Sequence, residues 1–276
     1  MTTSVSNNPS ALLALQNLNR TTDQLTQVQD RISTQLQVAD AKDNPTVWAQ
    51  AQGQRSQIDG LGAVTASLNR ATSISDVALS SGQKVLDLLA QLKQQSLSAQ
   101  DQQLSPEERA SISTDFAGML KQIATAISSA EFDGANLLDG SKAPGMRFLA
   151  SADGSQSVTL PAVNLTMGGT VITFSSTSTI GAVGTASAMM AQIDASIANV
   201  TSAMTGIGDQ AKLISAHQIL VSNLSNLLHG VTDLVGSDNA ADSARLKALQ
   251  VQQQLGQQSL SIANSMPSLL LALFKP

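Results

Sequence analysis

The chain has 276 residues, 42% of them hydrophobic but only 2% aromatic, with one Trp, five Phe and no Tyr, so narrow seams of Leu, Ile, Val and Ala must do its packing. A net charge of −5 with 13% charged residues leaves no basic footprint for a phosphate backbone, which argues against nucleic acid as a partner. With no Cys there is neither a disulfide framework nor thiolate chemistry.

The opening stretch "MTTSVSNNPSALLALQNLNR" lacks the basic and long apolar segments of a Sec signal peptide, so the chain is expected either to stay inside or to leave by another route. Leu18, Leu25, Val28, Ile32 and Leu36 then recur at helical spacing and predict one apolar stripe on a long first helix. "DNP" at Asp43 to Pro45 interrupts it, because Pro disfavours α geometry in the residue before it, and a second helix is expected to resume near Val47.

A third helical stretch carries Ile74, Val77, Val85, Leu88 and Leu92, and a fourth carries Ile112, Phe116, Leu120, Ile123 and Ile127. Between them Ser105 precedes Pro106, with Glu107 and Glu108 in the first turn, which reads as an N-cap, a proline at the first helical position and charges that suit the helix dipole.

The centre, 131–187, is crowded with Gly, Ser and Thr. "MRFLAS", "SVTL" and "TVITF" are β-prone, with Asp153-Gly154 and Gly168-Gly169 as turns between them, and small β-hairpins are expected at about 141–187.

Beyond the centre, Ile207, Ile214, Val221, Leu224, Leu228, Val231 and Val235 keep heptad spacing. After a looser patch at Gly236 to Asp242, a terminal helix shows Val251, Leu255, Ile262, Met266, Leu270 and Leu273 on one face, with Pro267 as a kink or restart. Its apolar run from Leu269 to Phe274 is far short of the roughly 20 residues that span a bilayer, so no membrane insertion is expected and the tail must be buried against protein.

Residues that could carry chemistry are few. His217 and His229 lie about 120° apart around an ideal helix and have no partner in metal-ligand register. Ser81-Gly-Gln-Lys84 with Ser237-Asp238-Asn239 mimics two serine β-lactamase signatures, but the Lys-Thr-Gly element is missing. Asp238 and Asp242 fit a solvated helix start, and "DGANLLDG" lacks the alternating ligands of a calcium loop. No enzyme activity, metal or cofactor is therefore expected. What remains are amphipathic helices at both extremities, marked off by Pro45 and Gly236, which would pair and offer their remaining apolar surface to further copies.

These residues resemble the bacterial flagellins, particularly the short alphaproteobacterial kind. "ALLALQNLNRTTDQLTQVQDRIST" with "DAKDNPTVWAQAQ" is similar to the family's N-terminal region, "EFDGANLLDG" to the loop closing its first helical half, and "ARLKALQVQQQLGQQSLSIANSMPSLLLALF" to its C-terminal signature. Where the family usually has Ser-Gly or Thr-Gly after the first helix, this chain carries Ser33-Thr34-Gln35, and Leu213 stands where a basic residue is common.

The resemblance implies a mainly α fold, a long antiparallel coiled-coil bundle of the N- and C-terminal arms with a small β-hairpin region in the centre. It implies that 1–46 plus 236–276 form an inner filament-core domain and 47–235 an outer helical domain. The function implied is a structural subunit of the flagellar filament, which serves motility. A hook-filament junction protein or a cytoplasmic coiled-coil scaffold are the alternatives. Implied partners are further copies, other flagellins, the export apparatus, a secretion chaperone, the filament cap and hook-junction proteins; type III export would give an extracellular destination. The terminal stripes would be the assembly surface. The resemblance also implies a receptor patch, with Lys93, Ser96 and Leu97 at the positions of an Arg, a Glu and a Leu, and O-glycosylation at Ser175, Ser176, Thr177, Ser178 and Thr179.

Overall fold

The computed structural model describes residues 8–233 and 236–273, with the side chains of 231–233 and 266–273 left outside the description. Among the described residues the elements run α1 (Pro9–Thr34), α2 (Pro45–Ser98), α3 (Pro106–Ser128), β1 (Glu131–Phe132), β2 (Ala135–Asn136), β3 (Gly145–Leu149), β4 (Ser157–Pro161), α4 (Val183–Asp233) and α5 (Asn239–Leu273). They divide into two compact units, one of residues 1–55 and 228–276, the other of residues 56–227.

In the terminal unit α1 begins at a cap that works twice. The Asn8 side chain accepts from the Ala11 N–H at 3.1 Å, while its Nδ2 donates to the Ala263 carbonyl at 2.6 Å. That bond and the bridge between Leu36 and Gly236 set α1 and α5 antiparallel. The first helix stops at Thr34, because Gln35 turns left-handed at φ 58. Leu36, expected on the helical stripe, therefore lies beyond the helix end. The second helix starts at Pro45, two residues before the expected position: the Asn44 side chain accepts from the Val47 N–H, and Pro at the first helical position gives up no needed donor.

The expected second and third helices are one, α2, of 54 residues. In the central unit its inward row, Leu61, Val64, Leu68, Ala71, Ile74, Ala78, Val85, Leu88 and Leu92, is buried without a break, so packing overrides the weak helix propensity of its glycines. Across the core α3 contributes Phe116, Leu120, Ile123 and Ile127, all buried as their spacing predicts. Ser105 forms the anticipated capping box, its Oγ accepting from the Glu108 N–H while Glu108 Oε2 accepts from the Ser105 N–H. α4 adds Ile193, Val200, Ile207, Ile214 and Val221.

The hairpin expectation is half met. β3 and β4 pair antiparallel from Gly145↔Pro161 to Leu149↔Ser157, but a second, tiny hairpin joins β1 to β2 earlier, across the Asp133-Gly134 turn. "TVITF" is not a strand. Its Thr173 N–H donates to Ser196 Oγ and the Phe174 carbonyl accepts from Gly168, so the segment spends its backbone groups on α4 and on its own turn while burying Ile172 and Phe174. α5 is one helix across Pro267, with no restart there, and Val235 lies outside the described residues.

Candidate functional site

The terminal unit is a two-helix pair with a thin seam. On α1 the row Ala11, Ala14, Leu18, Thr21, Leu25, Val28 and Ile32 is half-buried or buried, and on α5 it is met by Asp242, Leu246, Leu249, Gln253, Gly256, Leu260 and Ala263. Both rows alternate steps of three and four, the spacing of a coiled-coil seam. Their fully buried members are Val28 and Leu249. Gly256 opens the hole for one knob: a Cβ there would stand 3.2 Å from Leu18 Cδ1. A polar contact, Gln253 Nε2 to Thr22 Oγ1 at 3.4 Å, adds register at little gain in stability.

The row read from the sequence is not the row that meets α1. Val251, Leu255 and Ile262 are 55, 56 and 62% exposed and lie on the side of α5 turned away from the seam. Leu18, Leu25, Val28 and Ile32 do line the seam, and Leu36 is half-buried beside it. The side chains of Met266, Leu270 and Leu273 lie outside the described residues. Leu12, Leu13 and Leu15 add exposed apolar surface to the first turns of α1. The unit therefore has one apolar face satisfied within the chain and more left open.

In the central unit the anticipated receptor patch does not hold together. Lys93 is half-exposed and paired with Asp194 at 2.7 Å, and Leu97 is exposed, but Ser96 is wholly buried on the inward row of α2. It cannot be part of a surface patch, and its Oγ has no hydrogen-bond partner among the described residues. Ser175 to Thr179 form a turn that bonds to itself: Ser178 Oγ accepts from the Ser175 N–H and Ser175 Oγ from the Thr177 N–H, with Ser178 half-buried and the other four exposed.

His217 bonds the Ala150 carbonyl at 2.6 Å, a packing contact rather than half of a metal pair. Among the described residues no group of three or more His, Asp and Glu could hold a metal ion, and no helix is long and apolar enough to cross a membrane. A cleft of about 550 Å3 at the end of α1, whose lining includes Leu36, Val38, Ala39 and Val47 beside Asp30, Arg31, Lys42 and Asp43, carries no nucleophile paired with a base. The chemistry on offer is that of apolar surface.

Comparison with known proteins agrees. Residues 5–143 match the bacterial flagellin N-terminal helical region and residues 190–274 the bacterial flagellin C-terminal helical region. The chain is 41% identical to flagellin FljJ of Caulobacter vibrioides over 280 residues, covering 100% of this chain and 99% of that one. It is 33% identical to a flagellin of Brucella melitensis over 285 residues, 99% of each. A protein of Vibrio parahaemolyticus assigned as a flagellar hook-associated protein shares the fold, with a TM-score of 0.59 at 12% identity over 70% of this chain and 99% of that one.

Proposed function

This chain belongs to the bacterial flagellin family and is a structural subunit of the extracellular flagellar filament, and from that membership we propose which of its surfaces builds the polymer. The α1–α5 pair is the inner filament-core element, and the row Val251, Leu255 and Ile262, with Leu12, Leu13 and Leu15, is where one copy meets the next. The remainder, from about residue 47 to 235, is the outer domain of this reading. Export apparatus, secretion chaperone, filament cap and hook-junction proteins are the further partners of this reading. The full-length likeness to flagellins sets aside the junction-protein and cytoplasmic-scaffold alternatives.

The observation that supports the assignment is the second apolar row on α5, open on the side away from α1. Each large aliphatic side chain taken out of water contributes about 1.5 to 3 kcal/mol, so three such residues from each subunit are enough to bias assembly when neighbours share the ordering cost. Leu255→Glu with Ile262→Glu leaves the seam residues untouched. The doubly substituted chain is expected to remain soluble and helical by circular dichroism and to sediment as monomer under conditions where the parent forms filaments. Filaments of normal length from it would refute the assignment.

A further inference from the structure

We propose that Asn8 is the positioning residue of the terminal helix pair: its side-chain amide gives the Ala263 carbonyl the hydrogen bond that Pro267, four residues further along α5, cannot give.

Inside a helix each carbonyl accepts from the N–H four residues on. For Ala263 that residue is Pro267, which has no N–H, yet α5 runs through it from Asn239 to Leu273 as one helix. A carbonyl in the body of α5 is therefore left without its helical donor. Asn8 Nδ2 donates to that same carbonyl at 2.6 Å. The orientation of the amide is fixed by its other half, because Oδ1 accepts from the Ala11 N–H at 3.1 Å and leaves Nδ2 to face α5. Asn8 and Ala263 are both half-buried, so water would be an incomplete substitute.

The proline thus marks one place along α5, and Asn8 reads it. The apolar seam needs such a mark. Its rows repeat at steps of three and four, with Val28 and Leu249 as their fully buried members. A slip of one helical turn, about 5.4 Å, would set apolar rows against one another again. Leu18 beside Gly256 opposes that slip in mid-seam. Asn8 opposes it at the end where the open aliphatic side chains lie, since Leu12 is one turn beyond Asn8 on α1 and Ile262 directly precedes Ala263 on α5. A polar group with one partner position is an effective means of fixing register between apolar helices. The consequence for assembly rests on the surface assignment above: Leu12, Leu13 and Leu15 keep their spacing from Ile262 only while the two helices keep this register.

The test separates this bond from capping. Asn8→Asp keeps an N-cap acceptor as good as the original but turns a second oxygen toward the Ala263 carbonyl. It is expected to raise the critical concentration for filament growth at pH 7 by about fivefold or more, the effect of leaving a carbonyl unmatched. Neither α1 before Arg20 nor α5 after Lys247 carries a titratable side chain, so the new carboxyl has no charged neighbour on either helix there. Facing a carbonyl oxygen raises its pKa above the ordinary value of about 3.9, because the charged form is repelled. The penalty is then present at neutral pH and is lost as pH falls through the raised value, where the protonated oxygen donates in place of the amide. The difference from the parent, taken at each pH, should close between about pH 6 and 4. In a Pro267→Ala background the helix regains its own donor at position 267, and Asn8→Asp should then cost less than about twofold.

Equal cost in both backgrounds overturns the inference, and so does a difference from the parent that stays constant with pH. A parent-like critical concentration for Asn8→Asp at pH 7 overturns it outright. If Pro267→Ala alone abolishes assembly, the pH profile of Asn8→Asp decides. Normal filaments from the Leu255→Glu, Ile262→Glu chain would instead overturn the surface assignment, with the coupling between positions 8 and 267 still read from the same two tests.

Discussion

Gly82 and Met204 occupy one space between α2 and α4. A Cβ on Gly82 would overlap Met204 Sδ and stand 3.0 Å from its Cγ. Met204 is itself buried, so its side chain has little room to retreat.

Gly82→Ala gains about 1 kcal/mol of helix propensity but forces overpacking that ordinarily costs about 1 to 3 kcal/mol. A net loss is expected, read as a lower thermal midpoint of the central unit. Combined with Met204→Ala, it should cost less than the two single changes added, since the second removes the obstacle to the first. Strict additivity would mean that the two residues do not share this space.

Gln35 holds the left-handed position that ends α1. A non-Gly residue there carries strain of about 1 to 2 kcal/mol, and the site is fixed because the Gln35 carbonyl accepts from the Ser237 N–H. Gln35→Gly is therefore expected to raise the dissociation temperature of filaments and Gln35→Val to lower it. The reverse order would show that the turn is not left-handed in the polymer.

Ser96 is buried with an orphan hydroxyl. An unsatisfied buried polar group costs about 1 to 3 kcal/mol, so Ser96→Ala should stabilise the central unit, by about 2 to 4 °C for each kcal/mol in a unit of this size. Ser96→Glu places a carboxylate in the core and should unfold the unit at temperatures where the parent is intact. Thermal denaturation followed by circular dichroism separates the three.

Arg109 closes the end of α2 from the first turn of α3. Its guanidinium donates to the Ala99 carbonyl and, at 2.7 Å, to the Asp101 carbonyl. Arg109→Ala is expected to cost about 1 to 3 kcal/mol, the range for hydrogen bonds from a charged donor, in urea denaturation. Arg109→Lys should recover part of it, because an ammonium lacks the planar fork that reaches two carbonyls together.

Two carboxylates are expected to contribute to the acid sensitivity of the central unit. Asp153 accepts from Ser151 Oγ and from the Ser155 N–H and Oγ, which lowers its pKa from 3.8 to about 2. Glu108 is held below its ordinary 4.5 first by the Ser105 N–H and then by the Ser105 hydroxyl. A depressed folded pKa means that the unfolded chain binds protons more readily, so the stabilisation is present above the ordinary pKa and is lost as pH falls toward the folded one. The thermal midpoint should drop between about pH 4.5 and 2, more shallowly in Asp153→Asn and Glu108→Gln than in the parent.

The α3 cap, the helix break at Pro45 and the resemblance to the family were legible in the chain because each rests on residues close together in sequence. Ser105-Pro106 with Glu108 caps α3 whatever surrounds it, Asn44-Pro45 starts α2, and Phe116, Leu120, Ile123 and Ile127 have a single apolar face to bury. What only the tertiary structure decided was the choice between faces that are both apolar. α5 carries two rows, and the more hydrophobic one, Val251, Leu255 and Ile262, is left open, while the row containing Gln253 and Gly256 meets α1. The reason lies on the other helix: Leu18 needs a hole, and a glycine provides one that no count of hydrophobic residues along α5 can reveal. Ser96 was misplaced for the same cause, since its burial is set by α2 turning that row into the core rather than by anything polar in its own side chain.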